Sequence, residues 1–324
     1  MPPSSTTTLS VLDPTSLLGR ELAEGVARAL PGARLRWFHT RPDDETLIVE
    51  IAGAAALVPP LSDAGELDGS TAVVVTERPG EAAAARLIGW LSRNRDAALV
   101  DCSQPGLVPA ETRCVFDRLP GAAERAPRVH LADPSLAAPF RFAAALEALE
   151  PRALHLTVMC PVAPLGAEAL DELAQQGAAR LSGQPVKRPR LLPAALAFDL
   201  APASAERAAA LEAQLGELLP GVECTVQAVE AGVFHGTFAA VLLRCEAALT
   251  EDRVRALLRA AGGFRISRRD EVPTTTVAVE HGAAITCAGV RAAGEWVGAS
   301  LLADGLAVGG ASAALEVVRA LSGG

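Results

Sequence analysis

The sequence predicts an α/β protein with two domains, in which a doubly wound parallel sheet is followed by an α+β domain. In the first half of the 324 residues, short apolar segments of strand type alternate with amphipathic helical segments. This alternation is typical of parallel strands joined by right-handed crossover helices. Beyond Pro134, longer strand-like segments follow one another directly, which favours a mixed or antiparallel sheet. With 50% apolar residues, the chain is long enough to form two hydrophobic cores.

The elements of the first domain follow from the spacing of its apolar residues. After the first strand, Leu18, Leu22 and Val26 recur at helical spacing and predict the first helix. An alanine-rich segment, residues 81–93, predicts the second. The predicted strands are residues 8–14, 34–40, 45–53, 68–77, 97–104 and 128–134.

The second domain is predicted from longer segments. Thr250 is followed by two acidic residues, and this combination predicts a helix that begins directly after it. The proline-rich residues 184–194 predict a loop. The other predicted helices are residues 140–149, 167–176, 205–219 and 311–321, and the predicted strands are residues 153–162, 222–232 and 237–246, with further strands inside 265–304.

Charge and composition exclude several classes of function. The net charge is −9 and the chain has no basic stripe, which predicts no nucleic-acid partner. No apolar run reaches the roughly 18 residues that a membrane span needs, and the start MPPSSTTT lacks the features of a signal peptide, so a cytoplasmic location is predicted. The six cysteines and five histidines are scattered singly, which predicts free thiols and no metal site.

The segment LSVLDPTSLLGREL (residues 9–22) has the strand–turn–helix form in which nucleotide-binding proteins carry a glycine-rich phosphate loop. Asp13 and Ser16 stand where the first two glycines would be, and only Gly19 remains. An acidic residue would repel phosphate, and a side chain at position 16 would keep it away. The favoured interpretation is a turn capped by Asp13, Thr15 or Ser16, and the alternative is a degenerate nucleotide site.

A cysteine and a histidine are candidates for a thiol–imidazole pair. Cys160 ends a predicted strand, and His235 lies in the glycine-flanked turn GVFHGTF. A catalytic pair requires the two side chains to be within hydrogen-bond reach, which the sequence does not establish. A buried thiol and a solvent-exposed loop histidine are the favoured interpretations.

Five segments, in order along the chain, carry a resemblance to a known family. PVAPLGAEALDEL (161–173) is similar to A-V-S-G-A-G-x-x-A-x-D-E-L, and EAGVFHGTFAAV (230–241) is similar to R-x-P-V-F-x-G-H-x-x-x-V. The chain thus resembles the aspartate-semialdehyde dehydrogenases and their Usg-like paralogues over nearly its whole length. The remaining three segments are VDCSQ (100–104), LAFDLAP (196–202) and SLLADGLAVGGASAALEVVRAL (300–321).

The resemblance implies a fold and a mode of assembly. It implies a Rossmann domain over residues 1–133, completed by a carboxy-terminal helix within 305–324, and an α+β domain over residues 134–304 that holds the active site and dimerises. It also implies NADP as the cofactor of active members. A homodimer, or a heterodimer with a paralogue, is the expected assembly.

Position by position, the resemblance implies that the catalytic groups have been replaced. Leu136 occupies the position of the nucleophilic cysteine, and Cys160 that of a glutamine. Glu230 occupies the position of the arginine that binds the substrate carboxylate, and Thr237 that of the general-base histidine. Asp13, Ser16 and Gly19 form the degenerate phosphate loop, so no cofactor is expected.

These replacements predict a non-catalytic paralogue that acts through dimerisation or partner binding. The alternative is an NAD(P)-dependent semialdehyde dehydrogenase-like oxidoreductase of amino-acid biosynthesis, with a relocated or altered active site. In that alternative Cys160 and His235 would be the candidate catalytic residues.

Overall fold

A computed structural model describes residues 7–41, 45–104, 106–108, 112–116, 128–247, 250–268 and 270–321. The amino-terminal residues 1–6, part of the segment considered as a signal peptide, lie outside this range. The chain divides into two compact units, residues 1–132 with 310–324, and residues 133–309. No helix in the described residues has both the length and the apolar character that crossing a membrane requires.

A six-stranded, all-parallel sheet forms the centre of unit 1. Its strands are β1 (Thr8–Leu12), β2 (Arg34–Phe38), β5 (Ala72–Val75), β6 (Ala98–Asp101), β7 (Arg113–Val115) and β8 (Arg128–Leu131), in the spatial order β2-β1-β5-β6-β8-β7. The helices are α1 (Leu17–Ala29), α2 (Glu81–Arg93) and α8 (Ser312–Leu321), the last preceded by a π-helical turn, Leu306–Ala311. The predicted doubly wound parallel sheet is confirmed.

One predicted strand of unit 1 lies outside the parallel sheet. Residues 45–53 were predicted as a strand of that sheet, but β3 (Leu47–Ile51) pairs with β4 (Ala54–Val58) in a separate antiparallel hairpin. The turn consists of Ala52 and Gly53, both with positive φ (51° and 80°). Such a two-residue turn matches the twist of paired antiparallel strands and returns the chain at once, so no crossover helix follows.

One cluster of the unit 1 core lies between the sheet and α2. Leu12 and Phe38 from the strands pack with Leu87, Trp90 and Leu91 of α2, and all five are buried. The Trp90 indole nitrogen donates to Asp68 Oδ1 at 2.9 Å, so the large ring is buried without an unsatisfied polar atom. The apolar positions of residues 81–93 therefore form the buried face of the helix.

Unit 2 is built on a seven-stranded mixed sheet. Its strands are β9 (Pro151–Cys160), β10 (Leu200–Pro202), β11 (Glu223–Ala231), β12 (Thr237–Cys245), β13 (Phe264–Ile266), β14 (Ile285–Ala293) and β15 (Trp296–Ala303), in the spatial order β10-β11-β9-β12-β15-β14-β13. The helices are α3 (Ala137–Ala145), α4 (Ala167–Leu181), α5 (Ala205–Leu218), α6 (Glu251–Ala261) and α7 (Thr275–Glu280). This confirms the α+β prediction.

The helix boundaries in unit 2 show where caps, apolar periodicity and composition are sufficient to predict a helix and where they are not. Thr250 caps α6, accepting a hydrogen bond from the Arg253 amide, as its sequence context predicts. The helix predicted at residues 140–149 instead begins at Ala137, because the turn before it supplies helical geometry that the apolar period does not reveal. α7 lies within a segment predicted as strand. Thr274 caps it, and a cap outweighed the β-branched composition of the segment.

Candidate functional site

In unit 1, the turn after β1 is closed by its own side chains. Ser16 is the N-cap of α1, and its hydroxyl oxygen accepts the Gly19 amide at 2.9 Å. Thr76, which follows β5, lies 2.9 Å from the same hydroxyl and bonds to the carbonyl oxygens of Leu12 and Asp13, each at 2.8 Å. The structure thus selects Ser16 as the cap among the three residues that the sequence left open.

Asp13 is turned into the protein instead of towards a ligand. Its side chain is buried, and its two carboxylate oxygens accept the amide and the hydroxyl of Thr40 at 2.7 and 2.6 Å. Its backbone is left-handed, with φ of 57°, a conformation that aspartate tolerates better than most residues. Burial raises the pKa of this carboxyl, and the hydrogen bonds from Thr40 oppose the shift only in part.

Gly19 is required by a close backbone approach. A Cβ at this position would lie 2.2 Å from the Asp13 carbonyl oxygen and 2.7 Å from the Ser16 hydroxyl. Only glycine therefore allows α1 to start this close to the turn.

Replacing Asp13 with asparagine is expected to make stability less dependent on pH. A native carboxyl with a raised pKa binds its proton more readily than the unfolded chain does, so the free energy of unfolding falls as pH rises from about 3.8 through the native pKa. Asparagine removes this loss and tolerates the left-handed backbone. Chemical unfolding of both proteins across pH should show the asparagine variant gaining on the wild type towards neutral pH. A difference in the free energy of unfolding between the two proteins that stays constant across pH would contradict this explanation.

These residues do not fit the pyrophosphate of a dinucleotide. The amide of Gly19, one of the helix-terminal donors that a phosphate would use, is already bound by Ser16. Asp13 places a carboxyl in the same turn, and Arg20 directs its guanidinium to the Thr15 carbonyl at 3.1 Å.

Elsewhere in unit 1, a cavity of about 410 Å³ is lined by residues that include Arg41, Gly80 and Arg86.

In unit 2, the position expected for a nucleophile lies in a buried turn. Asp133 caps the short helix Pro134–Leu136, and its Oδ1 accepts the Ser135 amide at 3.0 Å and the Ser135 hydroxyl at 2.5 Å. Leu136 is fully buried at 0% exposure. The side chain at this position is therefore packed in the core.

Helix α5 holds this turn through two of its side chains. Ser204 caps α5 by accepting the Arg207 amide, which places Arg207 in the first turn of the helix. The guanidinium of Arg207 pairs with Asp133 Oδ2 at 2.8 Å, while Gln214 accepts the Asp133 amide at 2.8 Å. The negative charge of Asp133 holds the pKa of Arg207 above its usual range. This pair could not be predicted from the sequence, because the partners are 74 positions apart (133 to 207) and no motif connects them.

Cys160 is close to these charged groups but is not an activated thiol. It is buried, and burial raises its pKa to about 12; the negative charge of Asp133 adds to the shift, while Arg207 opposes it. A catalytic cysteine needs the opposite change, since the thiolate is the nucleophile. His235 is exposed in the turn before β12. The structure thus brings Cys160 together with Ser135, Asp133 and Arg207.

Glu230 and Thr237 lie at the same end of the unit 2 sheet, on the two strands that flank β9. Glu230 is half-buried on β11, paired in register with Cys160 of β9. Burial raises the pKa of its carboxyl, and Arg207 opposes this shift. Thr237 begins β12 and is buried.

Within the described residues, no group of three or more histidine, cysteine, aspartate or glutamate side chains could hold a metal ion. All six cysteines are free thiols.

Comparison with solved structures identifies the fold. A probable aspartate-semialdehyde dehydrogenase from Pseudomonas aeruginosa matches 97% of this chain and 98% of its own, with a TM-score of 0.83 and 21% identity. Aspartate semialdehyde dehydrogenase II from Vibrio cholerae, solved in complex with ASA, matches 98% of both chains with a TM-score of 0.84 and 16% identity. The Candida albicans enzyme, solved with NADP, gives a TM-score of 0.69 over 98% of this chain and 99% of its own, at 11% identity. The protein has the aspartate-semialdehyde dehydrogenase fold.

Sequence comparison gives a more particular likeness. A USG-1 protein homolog from Azotobacter vinelandii is 32% identical over 133 residues, which cover 38% of this chain. The match spans 39% of the length of that curated relative. No protein-family model matches the chain. The predicted resemblance to the aspartate-semialdehyde dehydrogenases and their Usg-like paralogues is confirmed.

Proposed function

We propose that this protein is a non-catalytic paralogue of the aspartate-semialdehyde dehydrogenases that acts through binding, by forming a dimer with itself or with a paralogue. The main support is Leu136. The resemblance places the nucleophile there, and a fully buried leucine has no group that could attack a carbonyl. The surrounding turn is held by Asp133, Ser135 and Arg207, so its structure does not depend on a catalytic residue.

The other replaced positions support the same proposal. Glu230 would repel the carboxylate that an arginine in this position would bind. Cys160, a thiol near Leu136, has a pKa raised to about 12 and is therefore protonated at neutral pH. In unit 1, Ser16 caps the helix terminus on which a pyrophosphate would lie. Several large apolar side chains are exposed, and exposed apolar surface marks interaction sites when it is contiguous. On unit 2 these side chains are Leu165, Phe198, Leu200, Val233 and Phe234 in the loops and strand ends, and Leu242 on the sheet face.

A combined activity and binding experiment tests the proposal. We expect the purified protein to form no NADPH from aspartate semialdehyde, phosphate and NADP, and to release no heat when titrated with NADPH. Leu136→Cys is the matched variant. It should also remain inactive, because Glu230 and Thr237 still replace the carboxylate-binding and basic groups. NADPH formation by the wild-type protein above the rate without protein would refute the non-catalytic proposal.

A further inference from the structure

The antiparallel hairpin of unit 1 exposes two large apolar side chains that lie side by side. Ile48 of β3 and Leu57 of β4 are register partners. They are 75% and 64% exposed, more than any other large apolar side chain in the described part of unit 1. Because directly opposed side chains of an antiparallel pair are about 5 Å apart at Cβ, the two form one contiguous apolar surface on the outer face of the hairpin.

Strand β3 also has a free edge. Among the described residues, β3 pairs with β4 alone, in a sheet of two strands. Next to a two-residue turn the first pair, Ile51 with Ala54, is hydrogen-bonded, and along the hairpin such pairs alternate with pairs that are not. Ile48 and Glu50 belong to the second kind of pair, so their amides and carbonyls point away from β4. In the part of the chain that the structure describes, these four groups have no backbone partner.

The composition of β3 leaves this edge open to pairing. Proteins usually protect an exposed strand edge with proline, lysine or a bulge. The sequence of β3, LIVEI, has neither proline nor lysine, and its register with β4 is regular throughout. An edge of this kind accepts a further strand, and the backbone hydrogen bonds of that strand supply affinity.

A cavity lies beside the inner face of the same strand. It has a volume of about 250 Å³, and its lining includes Arg20 and Glu24 of α1 and Val49 of β3. Val49 is half-buried, whereas its neighbours Ile48 and Glu50 are exposed on the outer face. The residue of an added strand that pairs with Val49 would therefore point to the inner face, where the cavity offers room for its side chain. Pockets for alternate side chains give this mode of binding its specificity.

The charges of the hairpin indicate the chemistry of the added strand. Residues 45–58 contain two glutamates and neither lysine nor arginine. Glu50 is exposed on the outer face, two positions from Ile48. An added strand therefore meets an apolar surface at Ile48 and a carboxylate at Glu50. A second copy of β3 would bring the same glutamates to this edge, so charge complementarity favours a different, basic partner.

We propose that the free edge of β3 binds an extended segment of a partner protein in which an apolar and a basic residue are two positions apart. The segment forms a third strand of the hairpin, with its backbone paired to Ile48 and Glu50. Its apolar side chain covers Ile48 and Leu57, and its basic side chain pairs with Glu50. This interaction belongs to unit 1 and is independent of the proposed dimer.

Two labelled peptides test this surface on the full-length protein. TKTVTKT reads the same in both directions, so it places valine beside Ile48 and lysine beside Glu50 in a parallel or an antiparallel strand. By fluorescence anisotropy it should bind about ten-fold more tightly than TETVTET, which brings glutamate instead. Bound TKTVTKT should also slow hydrogen exchange of the Ile48 and Glu50 amides. Absence of TKTVTKT binding, or equal binding of both peptides, would overturn the inference.

Variants at the edge establish where the peptide binds. Glu50→Lys should reverse the preference, so that TETVTET binds about ten-fold more tightly than TKTVTKT. Ile48→Ser should weaken binding of TKTVTKT by about ten-fold, because the apolar contact is lost. Glu168→Lys, which makes the same charge change at an exposed position of α4 in unit 2, is the matched control and should leave both affinities unchanged. Circular dichroism confirms that each variant is folded.

Two results would contradict the proposed partner. A folded Glu50→Lys protein with unchanged preference would show that the peptide binds elsewhere. Slow exchange of the Ile48 and Glu50 amides that depends on protein concentration, without peptide, would show that a second copy occupies the edge. Neither result bears on the non-catalytic proposal, which the activity measurement tests separately.

Discussion

Replacing Asp133 with alanine is expected to lower the free energy of unfolding by about 3 kcal/mol. The carboxylate is 1% exposed and pairs with Arg207 at 2.8 Å. It also accepts the amide and the hydroxyl of Ser135. The variant would leave a guanidinium and two donors without their partner. Arg207 is 30% exposed and can reach water, which places the loss at the lower end of the range for buried ion pairs.

Two controls distinguish the buried pair from a general effect of charge removal. Asp133→Asn retains an acceptor for Ser135 and should cost about 1–2 kcal/mol. Glu24→Ala removes the partner of Arg28 in a pair whose side chains are 55% and 72% exposed, and it should cost less than about 0.5 kcal/mol. Urea unfolding gives all three values. Equal losses for Asp133→Ala and Glu24→Ala would show that the buried pair contributes no more to stability than a surface pair.

Replacing Gly232 with alanine is expected to cost about 3 kcal/mol or to prevent folding of unit 2. The added Cβ would lie 1.8 Å from the Leu196 carbonyl oxygen and 2.7 Å from its carbon. Both are backbone atoms, so no side chain can rotate to relieve the overlap. The turn that carries Phe198 would have to move away from β11.

Gly216 provides the matched control for this substitution. It lies inside α5, and an added Cβ meets nothing within 4 Å. Gly216→Ala should therefore stabilise the protein by about 0.5–1 kcal/mol, because alanine has the higher helix propensity. Thermal unfolding of the two variants should shift in opposite directions. A Gly232→Ala protein as stable as the wild type would contradict the close backbone approach described here.

The sequence was sufficient for elements whose signals are local. The helix Glu81–Arg93 has the predicted bounds because its apolar residues keep the helical period throughout, and Thr250 caps α6 as predicted. Helix α7 and the β3–β4 hairpin were not predicted. In the first case a cap outweighed strand-like composition, and in the second a two-residue turn outweighed the strand–helix alternation.

At the candidate site, the sequence supplied the positions but not the interactions between them. It identified Leu136, Cys160, Glu230 and Thr237 through the resemblance, and their roles remain predictions. It did not identify Arg207 as the partner of Asp133, because only the packing of α5 beside the turn at residues 133–136 brings them together. Nor did it indicate that Asp13 turns inward to Thr40.

The sequence alone therefore determined the α/β class, most of the elements and the family resemblance, since periodicity, caps and ordered motifs are local properties of a chain. The tertiary structure alone decided which side chains are buried, which charges are paired and which remain exposed. These properties depend on residues far apart in sequence, such as Asp133 with Arg207, or Gly232 with Leu196.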